Sequence, residues 1–192
     1  ATRPDVIFTE ALGPTDASVG CGDLGPGYLG FLGDAFGAPV SYVRGNHDRG
    51  GQWAERTVPA PDHLASGRLV QVGGVIVAPF EWPGLDAQRS RRDESRAWLD
   101  AVRAAGALSR LRIRGRRSPV LIVSHAPPRG VGDAATAPYH VGYACYPWLP
   151  DRVRPPLVPH AHTTPASVTA GRAPPGRTRV AHVAGPGPVA QP

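Results

Sequence analysis

The chain has 192 residues, 41 % of them hydrophobic, a length and composition that make one domain with a substantial core over 1–184 and a loose tail over 185–192. No run reaches the ~20 apolar residues needed to span a bilayer, and no apolar signal segment follows a basic start, so a cytoplasmic protein without a membrane partner is expected. The net charge is +6 and all 21 basic residues are Arg, yet the densest run, Arg89 to Arg117, is diluted by Asp93, Glu94 and Asp100, and the four Trp residues are dispersed, so a nucleic-acid partner is not expected.

In chain order, the apolar run 17–21 reads as a strand that ends in Cys21-Gly22-Asp23. Tyr28, Leu29, Phe31, Leu32, Ala35 and Phe36 then have offsets that suit one face of a short helix. A second strand, 40–43, leads into Gly45-Asn46-His47-Asp48. Segments 69–72 and 75–78 flank Gly73-Gly74, the signature of a hairpin turn. A helix over about 90–108 carries Trp98, Leu99 and Val102 as its apolar face. Strands at 120–123 and 157–158 run into Ser124-His125 and Pro159-His160-Ala161-His162, and further extended segments fall at 167–169 and 179–183. Alternating strands and helices imply an α/β fold.

Ligand-type side chains therefore stand directly after four strand-like runs: Asp23, Asn46, His125 and the pair His160/His162. The strand-helix-strand unit between Asp23 and Asn46 implies a right-handed crossover that brings both to one sheet edge. Carboxylate, amide oxygen and imidazole together are borderline donors suited to Mn, Fe or Zn. Cys21 and Cys145 have no metal-type spacing and read as inert thiols.

The order Gly-Asp, Gly-Asn-His-Asp, His after an apolar strand, and His-x-His resembles the calcineurin-like metallophosphoesterase family over roughly residues 5–184. Within it the chain is most similar to a bacterial branch with Cys-Gly-Asp-Leu (21–24), Val-Arg-Gly-Asn-His-Asp (43–48) and His-Ala-Pro-Pro-Arg-Gly (125–130) segments. The resemblance implies a two-sheet β-sandwich flanked by helices, a four-layer α/β/β/α domain. It also implies a hydrolase that cleaves a phosphomonoester or phosphodiester with a metal-bound hydroxide at a dinuclear site. Asp23 would bridge two divalent cations. Asn46, His125 and His160 would complete one site, and His162 would serve the other. His47 would be the catalytic acid, with Asp48 holding its ring, while Arg129 and His140 would meet a small phosphate-ester substrate.

The chain departs from the family at its first motif. The usual Asp-x-His is absent, and Glu10, after Val6 to Phe8, is the acidic residue in the matching place, followed by Ala11. The last motif begins with Pro159 in place of Gly. These departures leave one of the two cation positions short of ligands. They also imply an alternative: a non-catalytic or weakly active relative that binds a phosphate-bearing ligand or a protein partner.

Overall fold

The structure, a computed structural model, describes residues 16–48, 61–84, 93–116, 118–133, 140–163 and 178–183. Glu10 and the extended segment expected at 167–169 lie outside them. The fold is mixed α/β, with a three-stranded and a five-stranded sheet and three helices among the described residues. No helix among these residues is long and apolar enough to cross a membrane.

The first sheet has the order β1 (Ser18–Gly20), β2 (Val40–Tyr42), β3 (Asp62–His63), all parallel. Between β1 and β2 runs α1 (Pro26–Phe36). Proline suits its first turn, where an N–H would be unpaired, and Gly37 at φ 58° ends it in the left-handed conformation that glycine tolerates. Leu29 of α1 packs on Val40 and Tyr42, which ties the helix to this sheet. β3 escaped the sequence reading because an Asp-His dipeptide has no apolar alternation to find.

The second sheet has the order β4 (Val70–Val72), β5 (Val75–Phe80), β6 (Val120–Ser124), β7 (Leu157–His160), β8 (Arg179–His182). β4 and β5 are antiparallel, joined by Gly73 (φ 51°) and Gly74 (φ 79°); two successive positive φ angles make the tight turn whose twist matches a hairpin. From β5 onward the strands are parallel. The crossovers run through α2 (Glu94–Ile113) and α3 (Cys145–Val153). Alternation along the strands divides their side chains. Ile76, Ala78, Phe80 and Ile122 join residues of α2 and α3 in one cluster, while Val77 and Val123 join Cys21, Val43 and Leu64 in another. Both faces of β5 and β6 are thus buried, as their unbroken apolar runs suggest.

Two expectations for the helices need correction. α2 begins at Glu94, where Asp93 accepts a hydrogen bond from the Arg96 N–H (2.9 Å), and it continues to Ile113, with Arg110 and Arg112 in a last turn that favours positive charge. Its buried face is the small-residue line Ala97, Ala101, Ala104 and Leu108, whereas Leu99 and Val102 are 45 % and 53 % exposed. Alanines let the helix approach the sheet closely, and bulkier apolar residues fall on the outer side. Asp100 is buried on the same face, held by Arg96 (3.2 Å) and Arg103 (3.4 Å). α3 was not anticipated, and its sequence contains Pro147 and Pro150, residues ill suited to a helix interior. Pro147 lies in its first turn, and the helix ends soon after Pro150, at Val153.

The alanine line fixes the rotation of α2 and can be tested directly. Ala101→Leu should cost about 1–3 kcal/mol through overpacking, while Leu99→Ala should change stability by no more than ~0.5 kcal/mol. Urea unfolding of the variants measures both; the reverse ranking would mean that the helix buries its other face.

Candidate metal centre

The exits of β1, β2, β6 and β7 carry the candidate ligands, and parallel strands place those exits at one edge of each sheet. Two turns lacking a β-carbon at their tightest points bring them together. A β-carbon on Gly22 (φ 93°) would lie 2.5 Å from His125 Nδ1, and one on Gly45 would lie 2.6 Å from His125 Cε1 and collide with the Asp23 carboxylate. Asp23 itself takes φ 57°, a conformation uncommon for a residue with a side chain.

Asp48 holds the two turns to each other. Its Oδ2 accepts the backbone N–H of Asp23 (2.6 Å) and of Gly45 (2.9 Å). In return, Asp23 Oδ1 accepts the N–H of His47 (2.9 Å). Burial raises the Asp48 carboxyl pKa; the two N–H donors oppose that and the Asp23 charge adds to it. Burial would raise Asp23 too, but the His125 ring when it is protonated, together with the His47 N–H, outweighs it and holds that carboxyl below its usual value.

His125 is the centre of the group. Its Nδ1 lies 2.8 Å from the carbonyl oxygen of Cys21, an acceptor, so Nδ1 carries a proton. In the neutral ring Nε2 is then a bare lone pair. Around that atom stand Asp23 Oδ2 at 3.3 Å, Asn46 Oδ1 at 3.1 Å and His162 Nδ1 at 3.1 Å. Ligand bonds of about 2.1 Å at tetrahedral to octahedral angles put neighbouring donors roughly 3.0–3.4 Å apart, and the three separations fall in that range. The donor atoms of Asp23, His125 and His162 all lie within 4.8 Å of one another, forming a group that could hold a metal ion.

The other expected residues fall around this group in different ways. His47 is exposed beside it, tied through its backbone to Asp23. Asp48, expected to hold the His47 ring, clamps the two turns through its Oδ2. His140 stands with its ring 5.1 Å from that of His162. Arg129 is turned to Glu94 (2.5 Å) and to the carbonyl of Gly142 (3.0 Å), so its guanidinium joins the loop to the start of α2.

His160, expected beside Asn46 and His125, lies outside the group. His162 takes φ 67°, and this reversal turns the two histidines away from a common face. The His160 ring instead packs against Gly132, where a β-carbon would come within 2.6 Å of Nε2, and lies 5.4 Å from the His182 ring.

Trp82 is the neighbour that sequence reasoning missed. Its ring lies 4.6 Å from His162 and 6.1 Å from His125, edge-on to the latter, and it is 2 % exposed. It directly follows Glu81, itself next after β5, so its position at a strand exit was the available signal. His63, the last residue of β3, also pairs at 3.1 Å with Glu81, just past the end of β5. Cys21 and Cys145 are buried free thiols, each pushed up to about 12 by burial, which keeps them protonated.

No family model and no curated protein matches the chain. A solved structure superposes on 72 % of it with a TM-score of 0.46 and 14 % identity. The chain spans 56 % of that neighbour's length, and a likeness of this degree carries no argument about function.

Burial lowers the His160 pKa to about 4; the Ala161 carbonyl opposes the shift and nearby His182 adds to it. The unfolded chain binds this proton near pH 6.5 and the native state only near 4, so the stability His160 contributes is complete above 6.5 and is lost as pH falls toward 4. Between pH 7 and pH 5 the loss should be up to about 2 kcal/mol by urea unfolding. His160→Gln should flatten that slope; equal slopes in the two proteins would show that the ring titrates normally.

Proposed function

We propose that the chain is a metal-dependent phosphoesterase of the calcineurin-like kind, acting on a small phosphomonoester or phosphodiester. The reading rests on one observation above all. The Nε2 of His125, a lone pair in the neutral ring, faces a carboxylate oxygen, an amide oxygen and a second imidazole nitrogen at ligand-to-ligand separations. Lone pairs gathered in this way repel one another unless a positive charge lies among them. The hydrogen bond from His125 Nδ1 to a backbone carbonyl is the support that metal-binding histidines ordinarily have, fixing tautomer and ring orientation. The three interior clusters support a four-layer α/β/β/α arrangement, since one links α1 to the first sheet, one links the two sheets, and one links the second sheet to α2 and α3.

In this reading Asp23, Asn46, His125 and His162 hold a divalent cation of the Mn, Fe or Zn class. When bound, it supplies Lewis acidity toward a phosphoryl oxygen and lowers the pKa of a water. The chain's own contribution is to position and to transfer protons. Asp48 fixes the turns that present Asp23 and Asn46. Trp82 covers one side of His125 and His162 and keeps water from it. His47 stands exposed beside the donors, where it gives a proton to the leaving oxygen of a bound ester.

A second reading is favoured by the donor count. Among the described residues one group could hold a metal ion; His162, expected to serve the other position, belongs to it, and Glu10, the acidic residue of the first motif, lies outside the described residues. One cation without efficient turnover would describe a weakly active relative that binds a phosphate-bearing ligand.

Elemental analysis of purified protein, together with hydrolysis of bis(p-nitrophenyl) phosphate in Mn, separates these readings. The phosphoesterase should contain bound metal and turn over, and Asp23→Ala should reduce turnover by at least about 100-fold. Undiminished turnover in that variant would overturn the assignment. Metal without turnover would establish the second reading.

A further inference from the structure

At the edge of the second sheet opposite the metal centre lies a cavity of about 260 Å³. It opens where β5 and β6 begin and where α2 and α3 end. Five residues of β6, at about 3.3 Å each, separate its floor from His125, so the two sites are roughly 16 Å apart. Its floor is apolar, built from Ile76, Leu108, Val120 and Val153. Its rim carries Arg112, Arg116 and Arg154, and its lining contains no acidic side chain.

The three arginines have different duties. Arg112 is committed: its Nη1 donates to the carbonyl of Arg152 (3.3 Å) and its Nη2 to that of Val153, satisfying carbonyls at the end of α3. Arg116 and Arg154 lie past the ends of α2 and α3, and among the described residues neither guanidinium has a side-chain partner. Arg154 also takes φ 51°, which glycine would adopt more readily, so a cation is kept on the cavity's rim at a position whose backbone disfavours any β-carbon. Two uncommitted guanidinium groups beside an apolar floor call for an occupant with an anionic end and an apolar body. The volume falls just below the ~300 Å³ at which ligand pockets for drug-sized molecules begin, which sets the occupant as a small molecule.

We propose that this cavity is a second binding site, for a small organic anion: a carboxylate, phosphate or sulfonate head held by Arg116 and Arg154, with an aromatic or short aliphatic body on the Ile76–Val120 floor. The guanidinium fork matches the geometry of each of these heads. The site is independent of the reaction proposed for the metal centre.

Fluorescence titration of the full chain with 8-anilinonaphthalene-1-sulfonate tests the proposal, with uncharged N-phenyl-1-naphthylamine as the comparison. The anionic probe should bind saturably at one site, and at least ~10-fold more tightly than the neutral one, as expected for charge-assisted recognition. Arg116→Gln combined with Arg154→Gly should weaken it at least ~10-fold. Glycine suits the backbone at 154, and an unchanged thermal midpoint for Arg154→Gly alone, or a raised one, establishes that lost affinity is not lost folding. Binding should persist in Asp23→Ala, which separates this site from the metal centre. Non-saturable binding, equal affinity for the two probes, undiminished affinity in the double variant, or loss of binding in Asp23→Ala would each overturn the proposal.

Discussion

Two backbone turns pressed against one imidazole are the constraint on which the rest depends. Gly22 and Gly45 approach the His125 ring so closely that neither position has room for a β-carbon. The Asp48 carboxylate then fastens the turns by taking one N–H from each. Without that clamp, Asp23 and Asn46, 23 positions apart along the chain, would have no reason to meet the same nitrogen. Burying a carboxylate is costly, and the raised pKa of Asp48 reflects it; two strong N–H donors offset much of that cost. The energy is spent on orientation, because a group of donors off by an ångström binds a cation poorly.

The sheets supply the rigidity that such a group needs. β5 and β6 are buried on both faces, so a shift of either by one residue would exchange the clusters on its two sides. His125 follows β6 directly, and its N–H bonds to the carbonyl of Phe80 in β5 (3.0 Å). Register in the core is thereby register at the site. The same parallel arrangement gives the molecule two chemically distinct edges: one gathers carboxylate, amide and imidazole groups, and the other gathers helix ends and arginines around an apolar cavity.

Much of this was legible because it depends on local chemistry. The strand before Asp23, the one before Asn46 and the one before His125 announced themselves as short apolar runs, and Gly73-Gly74 marked its hairpin. The convergence of Asp23 and Asn46 followed from crossover handedness alone. Other features depend on packing and left weaker traces. The choice between Ala97-Ala101-Ala104 and Trp98-Leu99-Val102 as the buried face of α2 turns on how close the sheet comes, which hydrophobicity does not encode. The separation of His160 from His162 arises from a single positive φ at a residue with a side chain, a conformation that sequence disfavours and tertiary structure imposes. Trp82 reads as an ordinary anchor until β5 is set beside β6.

The central claim is that the four donors share a cation. It is tested most directly by crystals grown with Mn and measured at wavelengths on either side of the Mn absorption edge. An anomalous peak should appear at about 2.0–2.3 Å from Asp23 Oδ2, Asn46 Oδ1, His125 Nε2 and His162 Nδ1. A peak bound elsewhere, or none with the protein saturated in Mn, would contradict the account.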